Sequence, residues 1–115
     1  AEIIVNAEHE FYDFEAKYLD DSATLVVPVD LPAAAEERIR DLAVRAFDVL
    51  ACEGLVRADF FLRPDGSVVL NEVNTMPGFT SISLFPRMWA AAGVEYSELV
   101  DRLIADALRR GTGLH

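Results

Sequence analysis

The sequence has little of several features that mark other classes of protein. It contains one cysteine, Cys52, so no disulfide can form within the chain, which suits a reducing compartment. No apolar stretch reaches the roughly 20 residues that a membrane-crossing helix needs. Basic residues number 10 against 20 acidic ones, and the resulting formal charge of −10 argues against nucleic-acid or anionic-membrane partners. We therefore expect a globular, cytoplasmic protein with neither nucleic acid nor membrane as a partner.

The residue pattern predicts an α+β fold. Apolar residues at helical spacing alternate with short β-branched runs that are bounded by Gly, Pro and Asp. We predict strands at 2–6 and 24–29, a loop at 9–22, a helix at 33–52, hairpin strands at 56–63 and 68–74, and helices at 83–92 and 96–110. This order favours an antiparallel β-sheet covered by helices on one side.

The hairpin carries the first candidate site. Asp65-Gly66 lies between two β-branched runs and predicts a two-residue turn, with Pro64 opposite Ser67. The same register sets Asp59 opposite Glu72 and Arg57 opposite Asn74, and all four side chains then share one face. Two carboxylates in opposite positions repel each other and usually share a proton or a cation. Carboxylate oxygens beside an amide suit Mg²⁺.

Two alternatives remain open at this point. The four polar side chains could form an ordinary solvated surface of the hairpin. Pro64 also lacks the N–H that a two-residue turn would use at that position, and a longer loop would move Glu72 away from Asp59. Spacing alone does not decide between these and a metal site.

Longer motifs give the chain a family resemblance. The run Asn-Glu-Val-Asn-Thr-Met-Pro-Gly-Phe-Thr-Ser-Ile-Ser-Leu at 71–84, the segment 54–60 and the aromatic segment 11–18 occur in that family's order. Together they resemble the C-terminal part of the ATP-grasp carboxylate–amine ligases, and most closely the D-alanine–D-alanine ligases. The resemblance implies that residues 1–115 are a partial C-terminal ATP-grasp subdomain, with the N-terminal and central domains of a longer parent absent.

The resemblance implies a role for the hairpin residues. ATP would phosphorylate a carboxylate, and an amine would then attack the acyl phosphate. Asp59, Glu72 and Asn74 would be ligands of two Mg²⁺ ions, with Glu72 bridging them and Mn²⁺ as an alternative metal. Arg57 would stabilise the charged intermediate and transition state, because its guanidinium fork suits phosphate and carboxylate oxygens. The alternative for Arg57 is a salt bridge to Asp59 or Glu72.

The resemblance also implies two substrate-binding segments. In the predicted loop at 9–22, Lys17 would reach the transferred phosphoryl group and Tyr18 would lie near the first substrate under a closing lid. Gly78 would let backbone approach the reacting centre, while Ser83 and the amide of Leu84 would hold the carboxylate of the second D-alanine. The alternative for Ser83 is that it serves only as a helix N-cap.

The expected function follows from this resemblance. The parent would join two D-alanines at the expense of ATP for peptidoglycan precursors, and so for cell-wall biogenesis and cell shape. The Glu-Ala-Lys-Tyr form of residues 15–18 resembles ligases that use D-alanine rather than D-lactate as second substrate. We expect a homodimeric parent and an inactive isolated chain. The alternatives are another ATP-grasp ligase and a non-catalytic fragment.

Overall fold

The computed structural model describes residues 1–5 and 23–112, in two compact units, Ala1–Asp30 and Leu31–His115. In the first unit, strand β1 (Glu2–Val5) pairs antiparallel with strand β2 (Ala23–Val26). Strand β2 ends three residues earlier than predicted, because Pro28 has no N–H to donate to a ladder. The predicted loop at 9–22 lies outside the described residues.

The second unit contains the remaining elements in the predicted order. These are helix α1 (Ala33–Val49), strands β3 (Arg57–Leu62) and β4 (Val68–Asn74), and helices α2 (Leu84–Ala91) and α3 (Tyr96–Arg110). Helix α1 packs on the antiparallel β3–β4 pair, and α2 packs on α3. The α+β class is therefore confirmed. Helix α1 ends before its predicted boundary, because Ala51 adopts a left-handed conformation with φ of 53°.

The turn of the hairpin differs from the prediction. The backbone N–H of Arg63 donates to the oxygen of Ser67 at 2.9 Å, and the N–H of Gly66 donates to the oxygen of Arg63 at 2.9 Å. The loop therefore has three residues, and Pro64 does not pair with Ser67 as predicted. Pro64 lacks the N–H that the predicted pair needs, whereas its fixed φ suits the second position of this turn. Gly66 completes the loop at φ of +87°.

A β-bulge in β4 cancels the shift that the longer turn introduces. Next to the turn, Phe60 pairs with Leu70, one residue out of the predicted register. The register then shifts at Asp59, which leaves Asn71 as the extra residue and sets Asp59 opposite Glu72. The predicted pairs Asp59–Glu72 and Arg57–Asn74 are therefore confirmed, although the prediction reached them through the wrong turn.

The buried core of the described residues lies between α2 and α3. Phe85, Val94 and Leu99 are buried, and partly buried apolar residues pack around them (Leu55, Phe79, Met88 and Leu103). Many large apolar side chains stay exposed, among them Val44, Val49, Leu50, Phe61, Met76, Ile82, Ile104 and Leu108. Much of the large apolar side-chain surface of the described residues is therefore exposed to solvent and not covered by the core. A search of the described helices finds no candidate membrane-spanning segment.

An ion-pair cluster joins the end of α3 to the segment before β3. Arg110 donates to Glu53 Oε2 at 2.8 Å and to Asp106 Oδ2 at 2.7 Å. The hydrogen bonds from Arg110 and Arg109 hold the pKa of Asp106 below its usual range. These contacts link α3 to the chain four residues before Arg57, although their exposure to solvent keeps each of them weak.

Helix α3 offers a matched test of where the core lies. We expect Leu99→Ala to lower the free energy of unfolding by about 2–5 kcal/mol, because Leu99 is 4% exposed and its loss leaves a cavity. Leu108→Ala makes the same chemical change on the same helix, where the side chain is 79% exposed, and should change that energy by less than about 0.5 kcal/mol. Urea unfolding of both variants is the measurement. Equal losses would contradict this location of the core.

Candidate functional site

Arg57 brings three of the predicted site residues together on one face of the hairpin. Its Nε donates to Asp59 Oδ1 and its Nη2 to Asp59 Oδ2, each at 3.0 Å, in the two-pronged geometry of an arginine–carboxylate pair. The same Nη2 lies 3.8 Å from Glu72 Oε1. The guanidinium therefore contacts both of the carboxylates that the strand register sets opposite each other.

Solvent exposure differs between the two carboxylates. The side chains of Arg57 and Asp59 are 20% and 24% exposed, so their ion pair is partly shielded from water. The side chain of Glu72 is 55% exposed and accessible to a ligand that approaches the face. The salt bridge considered above as the alternative for Arg57 is thus present. It does not exclude a role in catalysis, because a guanidinium has five N–H donors and the pair with Asp59 uses two of them.

Asn74, the third predicted metal ligand, lies at the end of β4 opposite Arg57. Its Oδ1 accepts a hydrogen bond from the backbone N–H of Met76 at 2.9 Å, which fixes the start of the loop that follows. An amide oxygen has two lone pairs, so one remains available to a cation. The side chain is half-buried.

The chemistry of this donor set fits Mg²⁺. Asp59 and Glu72 supply carboxylate oxygens and Asn74 supplies an amide oxygen, which are the hard ligands that this ion prefers. Among the residues that the structure describes, no group of three or more His, Cys, Asp and Glu side chains could hold a metal. A divalent ion bound by these three residues would therefore need further oxygens from water or from substrate phosphates.

A second group of predicted residues lies in the loop between β4 and α2. A Cβ atom placed on Gly78 would lie 3.2 Å from Ser83 Oγ, closer than most side chains tolerate, so glycine permits this approach. Ser83 Oγ accepts a hydrogen bond from the N–H of Thr80 at 2.9 Å and shares another with Thr80 Oγ1 at 2.8 Å. Gly78 and Ser83 are thus neighbours on a folded loop, which the sequence alone did not show.

Ser83 stands at the N-cap position of α2, but its side chain makes no capping hydrogen bond. The Ser83 hydroxyl group therefore does not cap the helix, contrary to the alternative that Ser83 serves only as an N-cap. It bonds to Thr80 instead. Leu84 is the first residue of the helix, where backbone N–H groups lack intrahelical partners and the dipole favours an anion. A hydroxyl group beside backbone N–H groups at the start of a helix is chemistry that suits an anion such as a carboxylate.

Sequence reasoning missed the residue that connects this loop to α3. Tyr96 Oη donates to the backbone oxygen of Phe79 at 2.9 Å, across 17 residues of sequence. The Phe79 ring lies 5.5 Å from the Tyr96 ring and 6.0 Å from the Phe85 ring, measured between centroids. No spacing rule links residues so far apart, so only the folded structure could identify this contact. Lys17 and Tyr18 lie outside the described residues, and their roles remain predictions.

Comparison with known proteins identifies the family. A family model described as the D-ala D-ala ligase C-terminus matches residues 1–105. The chain belongs to the D-alanine–D-alanine ligase family. A relative from Streptomyces griseus named D-alanine–D-alanine ligase is 60% identical over 99% of this chain, and the chain spans 29% of that relative's length.

Solved structures of D-alanine ligases agree with this family assignment. The VanG D-Ala:D-Ser ligase from Enterococcus faecalis is 40% identical, with a TM-score of 0.76 over 90% of this chain and 29% of that one. The D-alanine–D-alanine ligase from Bacillus anthracis complexed with ATP is 38% identical, with a TM-score of 0.68 over 71% of this chain and 28% of that one. The α+β unit described above is therefore the C-terminal part of an ATP-grasp ligase fold.

The ion cluster on the hairpin predicts a measurable effect of Arg57. We expect Arg57→Gln to lower the free energy of unfolding by about 1–3 kcal/mol, because Asp59 and Glu72 then repel without a cation between them. Millimolar Mg²⁺ should restore more stability in this variant than in the wild-type chain. Thermal unfolding with and without Mg²⁺ is the measurement.

Arg63→Gln is the matched control, because Arg63 is an exposed arginine just beyond the end of the same strand. It should change neither the stability nor the response to Mg²⁺ appreciably. An Arg57→Gln variant that behaves like this control would show that the two carboxylates do not depend on Arg57.

Proposed function

We propose that this chain is the C-terminal catalytic segment of an ATP-dependent ligase that joins two D-alanines for peptidoglycan precursor synthesis. The observation that carries the proposal is the contact of Arg57 with both Asp59 and Glu72 on one hairpin face. In a member of this family, such a cluster of one cation and two carboxylates is suited to transfer of a phosphoryl group. The B. anthracis relative solved with ATP supports ATP as the phosphoryl donor.

The hairpin residues would act on the first half of the reaction. ATP phosphorylates the carboxylate of the first D-alanine, which gives an acyl phosphate and ADP. Asp59, Glu72 and Asn74 would hold two Mg²⁺ ions, with Mn²⁺ as an alternative, and bound ions would neutralise phosphate charge. Arg57 would stabilise negative charge that develops on the transferred group, because its guanidinium lies on the same hairpin face, in contact with both carboxylates.

The loop residues would act on the second half. The carboxylate of the second D-alanine would bind to Ser83 Oγ and the N–H of Leu84 at the start of α2. Its amine would then attack the acyl phosphate and release inorganic phosphate. Gly78 follows Asn74 by four residues, so their Cα atoms are at most about 14 Å apart, which keeps the two half-sites close. Lys17 and Tyr18 would cover the reacting groups and exclude water.

A second candidate differs only in the amine substrate. The likeness to VanG D-Ala:D-Ser ligase favours D-serine as an alternative acceptor on this fold. Competition between D-alanine and D-serine in the full-length protein would distinguish the two, because the dipeptide products differ in mass. We place the full-length ligase in the cytoplasm and propose that it is a homodimer.

The full-length protein gives the direct test of the proposed function. We expect D-alanine-dependent release of ADP, and we expect Glu72→Gln to lower kcat/KM by at least about 100-fold, because a ligand and a full negative charge are both lost. Glu37→Gln is the control, since Glu37 is an exposed residue on α1 outside the site, and it should leave the rate unchanged. Wild-type activity in Glu72→Gln would contradict the assignment of Glu72.

The isolated 115-residue chain should not catalyse ligation. It spans 29% of the length of its D-alanine–D-alanine ligase relative from S. griseus, so contacts that position ATP and the first D-alanine are expected elsewhere in the parent. Positioning can account for about 7–11 kcal/mol of a barrier, so its loss should remove measurable turnover. ADP release by the pure chain that requires D-alanine and disappears in Glu72→Gln would overturn this prediction.

A further inference from the structure

The loop that would bind the second substrate has mainly local hydrogen bonds of its own. Within the described residues, Thr80 N–H donates to Ser83 Oγ, and Ser83 N–H donates to the oxygen of Thr80 at 3.0 Å. Asn74 Oδ1 fixes only the entrance of the loop, through Met76. Each of these bonds spans two or three residues, so they give the loop a shape without attaching it to the rest of the unit.

Tyr96 supplies an attachment over a long sequence separation. It is the first residue of α3, and its hydroxyl group donates to the Phe79 carbonyl oxygen at 2.9 Å. Its ring also packs against the Phe79 ring, which contacts the buried Phe85. The backbone of Phe79 is thus held by a hydrogen bond and by an aromatic cluster that belongs to the core.

Phe79 lies between Gly78 and Thr80, so fixing its backbone also fixes its neighbours in the loop. It follows Gly78 directly and precedes Thr80, whose N–H and hydroxyl both bond to Ser83 Oγ. Movement of the Phe79 carbonyl would therefore displace Gly78 on one side and the Thr80–Ser83 pair on the other.

We propose that Tyr96 is a positioning residue that holds the Gly78–Ser83 loop in the geometry that binds the carboxylate of the acceptor amino acid. The inference rests on the proposed function and assigns a positioning role to Tyr96. It acts through the carbonyl oxygen of Phe79. Its effect should therefore fall on the acceptor amino acid and not on ATP.

The experiment compares Tyr96→Phe with wild type in the full-length protein. Tyr96→Phe keeps the ring contacts and removes only the hydrogen bond to Phe79. We expect the KM for the second D-alanine to rise by about 3- to 10-fold, the usual range for loss of one hydrogen bond, while the KM for ATP and kcat stay within about twofold. Tyr96→Ala also removes the ring and should raise the same KM further.

Amide hydrogen exchange provides a second readout that does not need activity. In Tyr96→Phe, the N–H groups of Thr80 and Ser83 should exchange faster than in wild type, because their loop opens more often. Leu103→Ala is the control for general destabilisation, since Leu103 packs on the same core and lies on the same helix. It should lower the melting temperature without changing the ratio of the two KM values.

Each result either supports or overturns the proposal. Unchanged loop exchange in Tyr96→Phe would overturn it, and so would equal increases in the KM for ATP and for D-alanine. If the wild-type protein releases no ADP in response to D-alanine or D-serine, the proposed function fails, and the acceptor-binding role of Tyr96 fails with it. The exchange comparison then decides separately whether Tyr96 holds the loop.

Discussion

Two carboxylates on directly opposite positions of an antiparallel strand pair require positive charge nearby, and the structure of this hairpin follows that requirement. The register sets Asp59 against Glu72, and Arg57 supplies the charge from the same face. Arg57 lies two residues from Asp59 on the same strand, so alternation of side chains and the strand register place all three side chains on one face. The residues that balance charge within the hairpin are thus the same ones for which we propose a role in phosphoryl transfer.

The Gly78–Ser83 loop depends on a different kind of constraint. Strand β4 ends at Asn74, and the chain turns at once into residues whose side chains and backbone bond to one another. The folded core contributes through Phe85, Phe79 and Tyr96, which together connect α2, the loop and α3. Electrostatics therefore organises the hairpin, whereas an aromatic cluster anchored on the buried Phe85 organises the loop beside it. Only three residues of chain separate Asn74 on the hairpin from Gly78 on the loop.

Much of this could be predicted from the sequence, and the failures have physical causes. Apolar spacing located α3, and the Asp-Gly pair located the hairpin, because both signals are local. The turn was predicted wrongly since the Asp-Gly signal outweighed the missing N–H of Pro64. The bulge at Asn71 left no mark in the pattern, yet its shift happened to cancel that error. The contact of Tyr96 with Phe79 joins residues 17 apart, and no periodicity reports such a pairing. The close approach of Gly78 to Ser83 likewise depends on the folded loop and has no signal in the sequence.

The position of the bulge at Asn71 is constrained on both sides along the ladder. If it moved toward the open end of the hairpin, Glu72 would pair with Ala58 and turn away from Arg57. If it moved into the turn, Pro64 would have to pair with Ser67, where it has no hydrogen to donate. The ion pairs of Arg57 oppose the first shift, and the missing N–H of Pro64 opposes the second. The extra residue is therefore confined to a single position in the ladder, and the spacing of the two carboxylates is protected against slippage of the strands.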